Sequence, residues 1–188
     1  MAESRRRERG QGRLSLDRVI SDLVAEGHLT DDNRRLLGGL YSDRDLKGRH
    51  AIEIVADRDW PDAARPERRL TLEWLTEWVA ARAELPFVRI DPLRVDVSRI
   101  TGVMSYAYAK RFNILALEVG DDEVTIATAE PYEREWEREL ESILKCSIRR
   151  VIANPRDIER YLLEFYTLSR SVVGASREQG DRPGGASV

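Results

Sequence analysis

The chain of 188 residues is 41% hydrophobic and 35% charged, a balance that suits one folded domain or two small units and excludes wholesale disorder. A net charge of -3 gives no global attraction to nucleic acid or to anionic lipid, and the single cysteine, Cys146, excludes an internal disulfide. No apolar run approaches a membrane span and none follows the basic start as in a signal peptide, so the expectation is a cytoplasmic protein without direct membrane insertion.

Residues 1–13 carry Arg5, Arg6, Arg7, Arg9 and Arg13 among glycines and glutamates and read as a disordered basic tail rather than a nucleic-acid arm. Periodicity starts directly afterwards. Leu16, Val19, Ile20, Leu23 and Val24 fall on one helical face, with Ser15 as N-cap and Gly27 as the left-handed residue past the end. Thr30 caps a second helix with Asp31 and Asp32 in its first turn and Leu36, Leu37, Leu40 and Tyr41 as its apolar face. Residues 14–41 are thus expected as a separate helical hairpin.

Residues 42–69 read as loop and linker, with Pro61 and Pro66 among charges; within them Ala51–Ala56 is compatible with a short helix or a strand. Thr71 caps a helix bearing Leu72, Leu75, Trp78 and Val79, and the extended passage Leu85 to Pro92 follows, bracketed by prolines. Ser98 then caps a helix with Ile100, Val103, Met104, Ala107 and Tyr108 on one side. Ile114–Val119 and Val124–Ala129 read as strands of a hairpin around Gly120-Asp121-Asp122. Pro131 opens a helix facing inward with Trp136, Leu140, Ile143 and Leu144, and Ile148–Ala153 is a third strand. Asn154 and Pro155 start a last helix with Ile158, Tyr161, Leu162 and Phe165 inward. From residue 169 the chain reads as a flexible tail or linker. The order of elements predicts an α+β fold, a helical hairpin plus a compact unit of small sheet and helices over residues 70–168.

The residues that catalysis would need are not assembled in any motif. There is no G-x-x-x-x-G-K-[ST] phosphate loop, no G-x-S-x-G elbow and no G-x-G-x-x-G after a strand. His28 and His50 fall in expected loops without metal-ligand spacing. The acidic run from Glu133 to Glu141 is interleaved with Arg134 and Arg138 and reads as a solvated helix face. No catalytic residue, metal or cofactor is therefore expected, and the chain should neither bind nor hydrolyse ATP.

The run Leu85-Pro86-Phe87-Val88-Arg89-Ile90-Asp91-Pro92-Leu93 resembles the "LP[FY]xxIDPLK" signature of the N-terminal domain of type II secretion and type IV pilus assembly ATPases. Ile114–Val119 resembles that family's "ILPLEV" strand, with Ala116 in place of proline. Val124 to Pro131 resembles "VTIATAxP", and Asn154-Pro155 through Phe165-Tyr166 resembles its last helix. The resemblance implies a bacterial, non-catalytic adaptor for protein transport. It implies docking of the motor to its inner-membrane platform protein, at the membrane's cytoplasmic face, and a C-terminal ATPase domain as a further partner. Some members sense cyclic di-GMP through "RLGxxLVxxGxI". Here Arg18, Leu23, Val24, Gly27 and Leu29 match one copy while Val19 and Ile20 replace its leucine and glycine. Those residues imply an alternative cyclic di-GMP site, set against an ordinary amphipathic hairpin. Trp60 and Trp74, not claimed by helix cores, are the expected partner-facing residues.

Overall fold

The computed structural model describes residues 12–40 and 48–180. The expected tail arginines from Arg5 to Arg9, Tyr41 with most of the charged loop after it, and residues 181–188 lie outside that range. Helix α1 (Leu16–Ala25) starts where Ser15 Oγ accepts the Arg18 N–H at 3.2 Å. It ends in a Schellman turn, with the Gly27 N–H on Val24 O at 3.0 Å and the His28 N–H on Leu23 O at 2.8 Å. Helix α2 (Asp31–Leu40) is capped reciprocally: Thr30 Oγ1 accepts from the Asn33 N–H, and Asn33 Oδ1 accepts from the Thr30 N–H at 2.9 Å.

The expected linker holds structure. Helix α3 (Ala51–Ala56) buries Ile52, Ile54 and Val55, and β1 (Pro61–Asp62) pairs antiparallel with β2 (Arg65–Arg69). Polar contacts hold this ribbon. The buried Asp62 carboxylate accepts from Arg68 and from the Ala64 N–H at 2.9 Å, and His28 Nδ1 lies 3.2 Å away. Burial pushes the Asp62 carboxyl up, but Arg68, His28 and the Ala64 N–H outweigh it and hold it below the usual range.

Helix α4 (Leu72–Ala83) is capped by Thr71 and places Leu75, Val79 and Ala80 in a core with Val19, Ile20, Leu23, Leu37, Ile52 and Val55. Two expectations change here. The helical hairpin is not a separate unit, and α4 belongs with it rather than with the sheet. The reason is the turn at Glu84, whose left-handed φ of 55° breaks the chain out of the helix. The segment beyond that turn pairs with the sheet, where Phe87 bridges Ile152 and the Val88 N–H donates to Ile152 O at 2.8 Å, while α4 itself lies against the Ile152 end of the sheet from the first core's side.

Two short helices, α5 (Val97–Thr101) and α6 (Tyr106–Phe112), replace the single helix expected from Ser98. Asp96 is the first cap, accepting from the N–H groups of Ser98 and Arg99, and Ser105 recaps the chain after Gly102 by accepting from the Tyr108 N–H. Ala107 consequently faces solvent. The sheet runs β3-β4-β5, with β3 (Ile114–Val119) antiparallel to β4 (Glu123–Thr128) and β5 (Ser147–Ile152) parallel to β4. A bulge separates the pairs Ala116↔Ile126 and Glu118↔Thr125. Beside a bulge on an edge strand either alanine or proline fits, so Ala116 leaves the strand intact.

Helix α7 (Glu135–Leu144) makes the crossover between β4 and β5 and starts after, not at, Pro131. Trp136 and Leu140 are buried, but Ile143, expected inward, is 65% exposed. Glu137 explains this rotation. Arg134 and Arg150 draw its carboxylate inward at 2.6 and 3.4 Å, which centres the buried face between Trp136 and Glu137 and turns Ile143 out. Helix α8 (Pro155–Gly180) packs across β3 and β4 with Ile158, Tyr161, Leu162 and Phe165 buried, and continues past the expected end of the helix to Gly180.

Candidate functional site: the seam between the two cores

The two cores meet along a polar seam. His50, the N-cap of α3, accepts the Ile52 N–H on Nδ1 at 3.3 Å, which leaves Nε2–H to donate to Ala129 O at 3.0 Å. The carboxyl of Glu130 lies 3.3 Å from the same Nε2 and accepts the Leu14 N–H at 2.7 Å. Burial lowers the His50 imidazole to about 4, helped by the charge of Arg13 and opposed by the bond to Ala129. Burial likewise pushes the Glu130 carboxyl up to about 7, with the Leu14 N–H and Arg13 opposing and Glu133 adding to the rise. Burial thus favours the neutral imidazole of His50 and the protonated carboxyl of Glu130 side by side.

Further ties flank this pair. Arg13 reaches Glu133 at 3.3 Å and donates to Arg111 O at 2.9 Å. Arg156, in the first turn of α8, bonds Glu53 of α3 at 3.4 Å and Asp57, which caps the end of that helix, at 2.7 Å, and Arg49 bonds Asp57 from the other side. Those bonds hold the Asp57 carboxyl below its usual range, Arg156 foremost. A cavity of about 620 Å³ opens at the seam, lined in part by His50, Glu130, Lys110, Arg111 and Leu162.

The residues named from the sequence scatter over this frame. Leu23 is fully buried in the first core and Val24 packs against it. Gly27 is exposed at the Schellman turn. Arg18 alone among the four reaches the seam, its guanidinium 4.4 Å over the Tyr132 ring and 4.0 Å from Asp22. Trp60 and Trp74 are half-buried against the first core, so neither stands free of a helix core as expected. Trp74 meets His28 edge-on at 4.9 Å and carries Arg68 over its face at 4.6 Å. One turn on, Trp78 donates to Glu26 at 2.6 Å and carries Arg82 at 5.1 Å. The face of α4 thus presents two tryptophans, each with an arginine stacked on it.

His50 and Glu130 could not be found from the sequence. Their partners lie 79 and 116 positions away; His50 sits in no motif, and Glu130 falls at the variable position of the run from Val124 to Pro131. Among the described residues no group of His, Cys, Asp and Glu is placed to hold a metal ion, and no helix is long and apolar enough to cross a membrane.

Residues 83–172 match the MshEN domain family. The match begins at Ala83, the last residue of α4, where the chain passes from the first core to the second. The type IV pilus assembly ATPase TfpB of Acinetobacter baylyi (strain ATCC 33305 / BD413 / ADP1) is 31% identical over 154 residues, 81% of this chain and 26% of that protein. The chain spans about a quarter of the length of that relative. The N-terminal domain of XpsE aligns over 81% of this chain and 96% of its own, at 14% identity and a TM-score of 0.50, which shows a shared fold. MshE, solved with cdg, aligns over 82% of this chain and 100% of its own at 16% identity and a TM-score of 0.49. Residues 83–172 thus match the MshEN domain family by sequence, and the chain shares the fold of the N-terminal domain of XpsE.

Proposed function

We propose that the chain is an adaptor of a pilus or secretion motor ATPase, docking the motor to its inner-membrane platform protein and standing ahead of a C-terminal ATPase domain. The observation that carries the reading is the match to a pilus assembly ATPase over 81% of this chain but only 26% of the relative. An adaptor needs a rigid scaffold and an exposed, partly apolar surface rich in aromatic residues and arginine. The α4 face supports that role, with Trp74 and Trp78 each under a stacked arginine. A second reading, a cyclic di-GMP site on the same scaffold, is supported by the position of Arg18, half-exposed on the Tyr132 ring at the seam. Leu23 and Gly27 already have structural tasks, in the core and in the Schellman turn, which favours the adaptor.

Two titrations of the purified chain test this, one with the cytoplasmic domain of a cognate platform protein and one with cyclic di-GMP, alongside an assay with Mg-ATP. The adaptor reading expects saturable binding of the platform domain, weakened at least about tenfold by Trp74→Ala, and no ATP turnover. Binding of cyclic di-GMP lost in Arg18→Ala, without platform binding, would establish the second reading instead.

A further inference from the structure

We propose that the seam cavity binds a small phosphorylated anion, its phosphoryl group between Lys110 and Arg111 and its apolar body against Leu14, Leu162 and Tyr106. The cavity, about 620 Å³, is within the size range of small-molecule sites. Its charged lining divides into committed and uncommitted groups. Arg13 is tied to Glu133, Arg49 to Asp57 and Glu53 to Arg156. Lys110 and Arg111 have no carboxylate partner among the described residues. They lie over rings instead, Lys110 at 5.8 Å from Tyr106 and Arg111 at 5.0 Å from Phe112. The carboxamide of Asn113, on the same wall, makes no hydrogen bond to another described residue.

Lys110 and Arg111 also complement the last carbonyls of α6, and that alone would explain two cations at a helix end. It does not explain the opposite wall. There Glu130 is buried, held by the Leu14 N–H and faced by His50, Arg13 and Glu133. A carboxyl whose ionisation burial disfavours is a weaker source of repulsion at that wall, and when protonated it can donate a hydrogen bond to a phosphoryl oxygen. Glu159, on the rim from α8, still opposes anions, so a compact monophosphate is favoured over a bulky polyanion. Proton and ligand are then linked: an anion bound beside Glu130 favours its protonated form, and ionising Glu130 weakens the anion.

The proposal is independent of platform docking; a chain that docks but binds no phosphate refutes only this one. The test is calorimetry of the full chain with phenyl phosphate and with inorganic phosphate at about pH 6 and about pH 8. The second probe lacks the apolar body and should bind more weakly. The double variant K110A/R111A, whose changes lie on an exposed helix end, should weaken phenyl phosphate about tenfold or more, while the remote R149A binds as the wild type does. The phosphate itself titrates in this window, so the reading for Glu130 is a ratio. The affinity of E130Q relative to wild type should rise roughly tenfold from pH 6 to pH 8. Absence of saturable phenyl phosphate binding, equal binding by K110A/R111A, or a constant E130Q ratio would each overturn the proposal.

Discussion

Glu130 and His50 lie 3.3 Å apart with opposite protonation preferences, and folding stability should report both. His50 has its folded value lowered to about 4 from 6.5. Its contribution is complete above the unfolded value and is lost as pH falls from 6.5 toward 4. Glu130 has its folded value raised to about 7 from 4.5. Its contribution is complete below 4.5 and is lost as pH rises toward 7. Each swing amounts to about 3 kcal/mol, and the two slopes nearly cancel between about pH 4.5 and 6.5. The wild type should therefore show a flat stability profile in that window. Glu130→Gln should lose stability as pH is lowered through it, and His50→Gln should lose stability as pH is raised. Urea melts at several pH values check both signs, and parallel profiles for the two variants would contradict the assignment. Trp136 offers a second measurement at this scale. It is fully buried, yet its Nε1–H has no partner among the described residues. Trp136→Ala should cost about 3–5 kcal/mol. Trp136→Phe should cost well under half of that, because it removes an orphaned donor together with some packing.

At the scale of elements, what could be read from the sequence was what neighbours in the chain decide. Ser15, Thr30, Thr71 and Asn154 cap helices as their spacing implies, and the strands at Ile114–Val119 and Glu123–Thr128 follow from short apolar runs around a turn. What could not be read depends on distant partners. The ribbon of β1 and β2 has no burial alternation along Arg65–Arg69 and is held by Asp62 with His28 and Arg68. The rotation of α7 depends on Arg150, which strand β5 brings to Glu137. The break between α5 and α6 was local, but Ser98 masked the stronger cap at Asp96. Within the candidate site only Arg18 was named in advance, since the His50–Glu130 pair exists only after both cores have folded. The turn at Gly27 is the simplest local test. A side chain there would meet open space, so Gly27→Ala isolates the cost of its φ of 78°. The loss should be about 1 kcal/mol, measured by thermal or urea unfolding. A stabilised variant would show that the helix end rearranges instead.

At the scale of the whole molecule the question is where one cooperative unit ends. Ile152 belongs to the first core while its strand belongs to the sheet, and α4 packs on β5 from the first core's side. A cut at residue 70 would pass through that arrangement, taking α4 away from Val19, Ile20, Leu23, Leu37 and Ile52. The stripe of Leu75, Val79 and Ala80 would then lose most of its cover. A helix of 12 residues is too short to persist in water without packing. In a fragment of residues 70–168 the amides of α4 should therefore exchange with solvent nearly as fast as in an unfolded peptide. The sheet holds its own core, with Ile114, Ile126, Val151 and Trp136 buried in it, and the amides of β4 should keep their protection. In the full chain both sets should be protected, since the ties of Arg156, Glu130 and Arg13 bind the cores to each other. Hydrogen exchange followed by mass spectrometry compares the two directly. Protection of α4 in the fragment equal to that in the full chain would mean that β5 alone holds the helix, and that the seam does not couple the cores.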